Sequence, residues 1–295
     1  MKPLVASTAY LLVSHGSRDP RPQEAMNRLA DLVRKHLEAT HLPPALNNEP
    51  SATQQYKDAE RPFSDHHSEV PVAGQTSVLT RPRLKTVPPA SSKVIVGTAC
   101  LELSPIPLSE QIYEFGLRLR AAGIHELKLL PMFLMAGVHV MEDIPEEIEA
   151  ARRLLGDSPK LTLCPHLGSH AKIPEVLAKR LAAVSTEGAL LVAHGSRRPK
   201  GNRAIGGLAR RLGTAVAYWA VPPDIETQVI ELMQQGHQRL TILPYFLFAG
   251  GITDAIAHRT EELAERFPKV GFRLLPTLGA TDEIAELAFD LVRDQ

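Results

Sequence analysis

The chain has 295 residues, 44% of them hydrophobic, enough for one large or two medium-sized domains with substantial cores. Its 33 basic and 33 acidic residues cancel, which excludes a bulk positive field directed at nucleic acid or an anionic membrane surface. No run approaches the roughly 18 apolar residues of a spanning helix, and Cys100 and Cys164 are too few for a disulfide framework or a CxxC metal site. The opening MKPLVASTAYLLVSHGS makes a poor signal sequence, with its early Pro3, and reads as a lead into a strand, so a cytoplasmic protein is expected.

Short continuous apolar runs alternate with amphipathic stretches along the chain. The first run is Tyr10–Ser14, followed by a helical face of Met26, Leu29, Ala30, Val33 and Leu37. Residues from about 40 to 92 are rich in Pro, Ser, Thr, Gln and Asn and carry neither a helical nor an alternating pattern; they predict a disordered insertion, and the pair His66–His67 sits inside it. Runs at Lys93–Ala99, Glu126–Pro131 and Lys160–Cys164 follow, with a helical face of Ile144, Ile148, Ala151 and Leu155 between the last two. The second half repeats the scheme with runs at Ala189–Ala193, Ala215–Trp219, Arg239–Leu243 and Gly271–Leu275, and a closing helix through Ile284, Leu287, Ala288 and Leu291. Runs of this length suit strands buried on both faces, and strand–helix alternation predicts parallel sheets.

The chain also repeats itself in detail. LLVSHGSRDP at Leu11–Pro20 and LLVAHGSRRP at Leu190–Pro199 differ at two positions, and LPMFLMAG from Leu130 matches LPYFLFAG from Leu243 in the same order. The expected architecture is therefore α/β, two duplicated parallel four-stranded domains facing each other across a cleft. Residues 1–185 would form an N-terminal domain carrying the chemistry, with the insertion at 40–92, and residues 186–295 a degenerate C-terminal copy. Ligands of such sheets bind at the carboxyl ends of the strands, where both repeated motifs fall.

Duplication supplies an internal control, because scaffold must survive in both copies while chemistry need survive in one. His15 and His194 are equivalent, each directly after the first strand of its half. Past the third strand, AGVHVMEDIPEE faces AGGITDAIAHRT, so His139 stands opposite Ile252, Glu142 opposite Ala255 and Asp143 opposite Ile256. Past the second strand Glu102 stands opposite Ala220. Two imidazoles and a carboxylate drawn from separate strand ends suit an open divalent-metal site; imidazole is equally suited to proton transfer. Glu142 and Asp143 read as first-turn acids that offset the helix macrodipole. The basic residues Arg18, Arg21, Arg197, Arg198, Lys200 and Arg203 cluster beside the two HGS motifs and suit a ligand with several carboxylates. Neither a GxxxxGK[ST] loop, nor a GxGxxG turn after a strand, nor a GxSxG elbow is present. Two other readings stay open from the residues alone. One is a histidine phosphotransferase or phosphatase built on His15 and its neighbouring arginine; the other is a bilobed metal- or ligand-binding protein without turnover.

LLVSHGSRDP, the FLE-like segment CLELSP and LPMFLMAGVHVMEDIP together resemble the sirohydrochlorin chelatases of the CbiX/SirB type, over nearly all the chain outside 40–92. The departure is Cys100-Leu101, where an aromatic residue is common in that family. The resemblance implies ATP-independent insertion of Fe2+ (towards sirohaem) or Co2+ (towards cobalamin) into sirohydrochlorin, a tetrapyrrole bearing many carboxylates. It implies His15 and His139 as metal-binding and catalytic positions and Glu102 as the acid of the FLE-like segment. Arg18, Arg197 and Arg198 would bind the tetrapyrrole. No prosthetic group is implied, since the divalent metal is itself a substrate; nor is a nucleic-acid or membrane partner. The fused pseudo-dimer predicts a monomer.

Overall fold

Among the described residues eight strands form, at the eight apolar runs, and the reason is visible in how each is buried. In the computed structural model, which describes residues 8–41, 94–198 and 200–293, β1 (Thr8–Ser14) is buried from Ala9 to Val13 without a break. Ala9, Leu11 and Val13 point to one side of the sheet, while Tyr10 and Leu12 point to the other, and each side meets its own apolar layer. A strand enclosed in this way has no solvent face to mark with polar residues.

β1 pairs in parallel with β2 (Val96–Cys100) and with β3 (Glu126–Pro131), and β3 pairs with β4 (Lys160–Leu163), giving the order β2-β1-β3-β4. The second half repeats this with β5 (Gly188–Ala193), β6 (Ala215–Tyr218), β7 (Arg239–Pro244) and β8 (Gly271–Leu274) in the order β6-β5-β7-β8. In each sheet the order reverses between the first and third strands, which opens a crevice outside their carboxyl ends.

The helices are α1 (Pro20–His41), α2 (Leu108–Ala121), α3 (Ile144–Leu155), α4 (Ile173–Ala182), α5 (Arg203–Leu212), α6 (Ile225–Gln234), α7 (Gly251–Arg266) and α8 (Asp282–Arg293). Proline in the first turn starts α3 and α4, and the Asp224 side chain caps α6 by accepting from the Thr227 amide at 2.8 Å. α2 and α3 cover the outer face of the first sheet with Leu108, Ile112, Ile144 and Ile148. α6 and α7 cover the second with Ile225, Val229, Ile256 and Leu263. The inner faces share one core, in which Leu12 and Leu130 of the first sheet and Leu191 and Leu243 of the second belong to a single apolar cluster with α1, α4, α5 and α8. The last helix of each half crosses to the other. α8 packs on α1 and reaches β3, where the buried Lys128 donates from Nζ to the Val292 carbonyl at 2.8 Å. α4 lies on α5, and its Arg180 donates to the carbonyls of Thr277 and Leu278, both at 2.7 Å. Outside residues 42–91 the chain accordingly forms one unit.

α1 runs to His41, and the insertion expected beyond it, with His66–His67, lies outside the described residues. Among the described residues no helix is long and apolar enough to cross a membrane.

Candidate active site

All eight strands are parallel within their sheets, so the segments leaving β1, β2 and β3 emerge on one edge, and these carry His15, Glu102 and His139. The first two are locked together by backbone. Beyond the paired strands, Leu101 N–H donates to Ser14 O and Glu102 N–H to His15 O, both at 2.8 Å. Gly16 makes the approach possible. Its φ is +99°, and a Cβ there would stand 1.9 Å from the Glu102 carbonyl oxygen, so any other residue would force the two segments apart. With the backbones joined, His15 Nε2 lies 3.6 Å from Glu102 Oε2. His15 Nδ1 is 3.3 Å from the Gly16 carbonyl, which can only accept, so the proton sits on Nδ1 and Nε2 keeps its lone pair.

His139 arrives from β3 by another route. The turn His139–Asp143 is a single π-helical turn closed by Ile144 N–H donating to the His139 carbonyl, and it leads directly into α3. Wide turns of this kind are concentrated at functional sites. This one sets the Asp143 carboxylate 2.7 Å from His139 Nδ1. An ionised carboxylate only accepts, so it fixes the proton on Nδ1 and leaves the Nε2 lone pair for another partner. The rings of His15 and His139 meet edge to face with centroids 4.8 Å apart, and Phe133 lies 6.4 and 6.2 Å from them. Glu102 Oε1 is 3.9 Å from His139 Nδ1.

One ligand atom from each of His15, Glu102 and His139 falls within 4.8 Å of the others. Metal–ligand bonds of about 2.0–2.2 Å require donors roughly 3.0–3.4 Å apart, so the three side chains would have to draw together to hold an ion. Three donors of this chemistry suit Fe, Co, Ni or Zn and leave coordination positions open.

The segment after β3 is held from three sides. The Phe133 carbonyl accepts from the Gly168 amide at 2.9 Å and from His166 Nδ1 at 3.0 Å, and the Leu134 carbonyl accepts from the Tyr245 hydroxyl at 3.2 Å. Burial keeps His166 below the usual imidazole range, although its bond to Phe133 pulls the other way, and burial pushes the Tyr245 phenol up. The neutral forms that make these bonds are thus the ones burial favours.

His15 and His139 open on a cavity of about 620 Å³ lined by both halves. Phe133, Leu134 and Met135 come from the first half; His194, Tyr245 and Phe248 are among the contributions of the second. The volume lies in the range of small-molecule sites, about 300–1,000 Å³. Among the ion pairs that join the halves are Arg21 with Asp254 of α7 at 2.5 Å and Arg198 with Glu142 at 3.0 Å.

The second half keeps the scaffold of the centre and His194 in the place of His15, but not the other two ligands. Trp219 N–H donates to Ala193 O and Ala220 N–H to His194 O, both at 2.9 Å, so Ala220 occupies the place of Glu102. Ile252 follows the Ala-Gly step where His139 does in the first half. The arginines singled out from the sequence are placed differently from the histidines. Arg18, Arg197 and Arg198 do not line the cavity; Arg18 and Arg197 are exposed and make no ion pair among the described residues, while Arg198 is held by Glu142. Asp143, read in the sequence as an acid offsetting a helix dipole, is instead the partner of His139. The signal was present as His-x-x-x-Asp, the spacing that puts two side chains on one face of a turn.

A family model described as CbiX matches residues 87–184 and again 188–295. The chain belongs to the CbiX family. The two matches coincide with the two sheets after β1, so Glu102 and His139 fall within the first match, while His15 precedes it. Among relatives, the chain is 25% identical to a sirohydrochlorin ferrochelatase of Priestia megaterium over 200 residues, 63% of this chain and 73% of that one. The fold is that of SirB from Bacillus subtilis solved with Fe3+, at a TM-score of 0.66 and 17% identity over 98% of this chain and 95% of that one. SirB from Bacillus subtilis subspecies spizizenii in complex with cobalt matches with a TM-score of 0.60, again at 17% identity, over 98% and 94% of the two chains.

Proposed function

We propose that this CbiX-family chain is a sirohydrochlorin chelatase, a lyase-class enzyme that inserts a divalent metal, Fe2+ or Co2+, into sirohydrochlorin without ATP. The observation that carries the reading is the meeting of His15, Glu102 and His139 in one cluster, whose two histidines line a cavity shared by two halves. Family membership and the ferrochelatase relative support the substrate. Residues 1–185 carry the chemistry in this reading, and residues 186–295 are a degenerate copy that supplies the second wall.

The ion is substrate, so the centre must hold it without trapping it. Two neutral imidazoles and one carboxylate leave a divalent ion with net positive charge and open positions, and an incoming pyrrole nitrogen can displace the ligands one by one. Asp143 keeps His139 in the tautomer that presents Nε2, and the Gly16 carbonyl does the same for His15. The apolar walls at Phe133, Leu134 and Phe248 receive the macrocycle and exclude water. Binding energy from the peripheral carboxylates offsets the distortion that turns the ring nitrogens towards the ion. Arg18, Arg197 and Arg198 on the rim loops meet those carboxylates, Arg198 exchanging Glu142 for one of them. One chain already supplies both walls, so the protein acts as a monomer, in the cytoplasm.

A phosphohistidine reaction fits the centre poorly. Glu102 and Asp143 would face the phosphoryl oxygens with like charge, which disfavours them. The test of the reading is anaerobic absorbance of the protein with excess sirohydrochlorin and Fe2+ or Co2+, without ATP. Many metallated products per chain, formed faster than in the protein-free reaction, are expected. Product limited to one per chain would replace the enzyme by a carrier, and a rate equal to the protein-free one would overturn it.

A further inference from the structure

We propose that His194 is the catalytic base that removes the inner N–H protons of the tetrapyrrole. This inference rests on the chelatase reading and extends it to the second half. His194 lines the same cavity as His15 and His139 but makes no ring contact with them and stands outside the cluster of metal-type donors. Its Nδ1 is 3.0 Å from the Gly195 carbonyl, an acceptor, so Nδ1 carries the proton and Nε2 keeps the lone pair. Nε2 has no hydrogen-bond or ion-pair partner among the described residues.

The duplication sharpens the point. Two of the three donors that make the first centre a metal site are missing from the second, where Ala220 replaces the carboxylate and Ile252 the second imidazole. A single imidazole without supporting donors is a weak metal ligand, yet it remains a competent proton acceptor. What is left of the second centre is therefore the part of the chemistry that the first performs badly. Each divalent ion entering the macrocycle displaces two N–H protons. An imidazole already holding that cation has no free lone pair, and an imidazolium beside the cation would be repelled by it. A base on the wall contributed by the other half avoids both conflicts.

The His194 Nε2 lone pair takes one pyrrole proton as the first metal–nitrogen bonds form, and the exposed imidazolium passes it to water. The neutral ring then takes the second proton, and nothing is oxidised or reduced.

His194→Ala and His194→Gln are compared with the unaltered full chain in anaerobic metallation of sirohydrochlorin by Co2+, alongside titration of Co2+ alone. The expected result is a fall in kcat of about 100-fold, at the low end for loss of a general base. Co2+ affinity should stay within about twofold of the unaltered chain, and added imidazole should restore much of the rate to His194→Ala. Metallation by His194→Ala at the original rate, with the unaltered chain active, would overturn the role of His194 and leave the chelatase reading standing. Loss of Co2+ affinity in parallel with rate would also overturn it, by making His194 a ligand. An inactive unaltered chain would remove both readings together.

Discussion

Asp143→Asn tests the orientation of the metal centre by changing one atom. The Asp143 carboxylate meets His139 Nδ1 at 2.7 Å, a length typical of a charge-assisted bond. Such bonds are worth about 1.5–3 kcal/mol, and at about 1.4 kcal/mol per tenfold this is roughly 10- to 100-fold in the affinity of whatever His139 binds. The same range is found when the orienting partner of a metal-bound histidine is removed. Asparagine keeps the size and loses the charge, and its amide can present a donor to Nδ1, which would favour the wrong tautomer. Both His15 and Glu102 stay in place, so an intact but weaker centre is expected. The assay is anaerobic titration with Co2+ followed by its visible absorption, with thermal unfolding as the control for fold. Asp143→Asn should weaken Co2+ by about 10- to 100-fold with little change in melting temperature. Affinity within twofold of the unaltered chain would refute the assignment of Asp143 as the residue that orients His139.

Other substitutions probe the scaffold around the centre. Gly16→Ala sets a methyl group against the Glu102 carbonyl and strains a backbone at φ +99°, at a cost of about 1–3 kcal/mol; it should lower both the midpoint of denaturation and Co2+ affinity, whereas an unchanged affinity would mean that Glu102 is positioned by something else. Leu12→Ala opens the core shared by the two halves and should cost about 2–5 kcal/mol. Because that core is common, fluorescence of the single Trp219, in the second half, should report the same shifted urea transition as circular dichroism, and two separate transitions would contradict a shared core. His166 is held below its usual range by burial, so the unfolded chain binds its proton first as pH falls; stability should therefore decline as pH drops through about 6.5 towards the lowered folded value. His166→Asn should flatten that decline, and an identical pH–stability curve in the variant would show that other groups cause it.

Much of this was legible in the sequence, and the particular residues show why. Continuous apolar runs such as Leu11–Val13 and Leu190–Ala193 specify strands buried on both faces, and their spacing by helical faces specifies parallel sheets. Comparing the copies isolated Glu102 and His139, because chemistry lost from one copy leaves a visible gap, while His15 was marked by its place directly after the first strand; the structure brings those three together. The crossing of α4 and α8 was not legible: amphipathic periodicity says that a helix has an apolar face but not which sheet that face meets. Asp143 was hidden behind a plainer reading, an acid offsetting a helix dipole, although the His-x-x-x-Asp spacing was there and the turn sets the two side chains together. The arginines were visible as a cluster, but sequence proximity to a strand end does not decide whether a long side chain turns into the cleft or along the rim, and Arg198 turned to Glu142.

Metal insertion should depend on the centre at the carboxyl edge of the first sheet. The direct measurement is the initial rate of anaerobic sirohydrochlorin metallation by Fe2+ and by Co2+ for the unaltered chain, His15→Ala and His139→Ala, with Co2+ bound per chain measured on the same samples. Clear acceleration over the protein-free reaction and one bound ion per unaltered chain are expected, with both lost in each variant. Variants that bind the ion and metallate sirohydrochlorin as fast as the unaltered chain would refute that dependence.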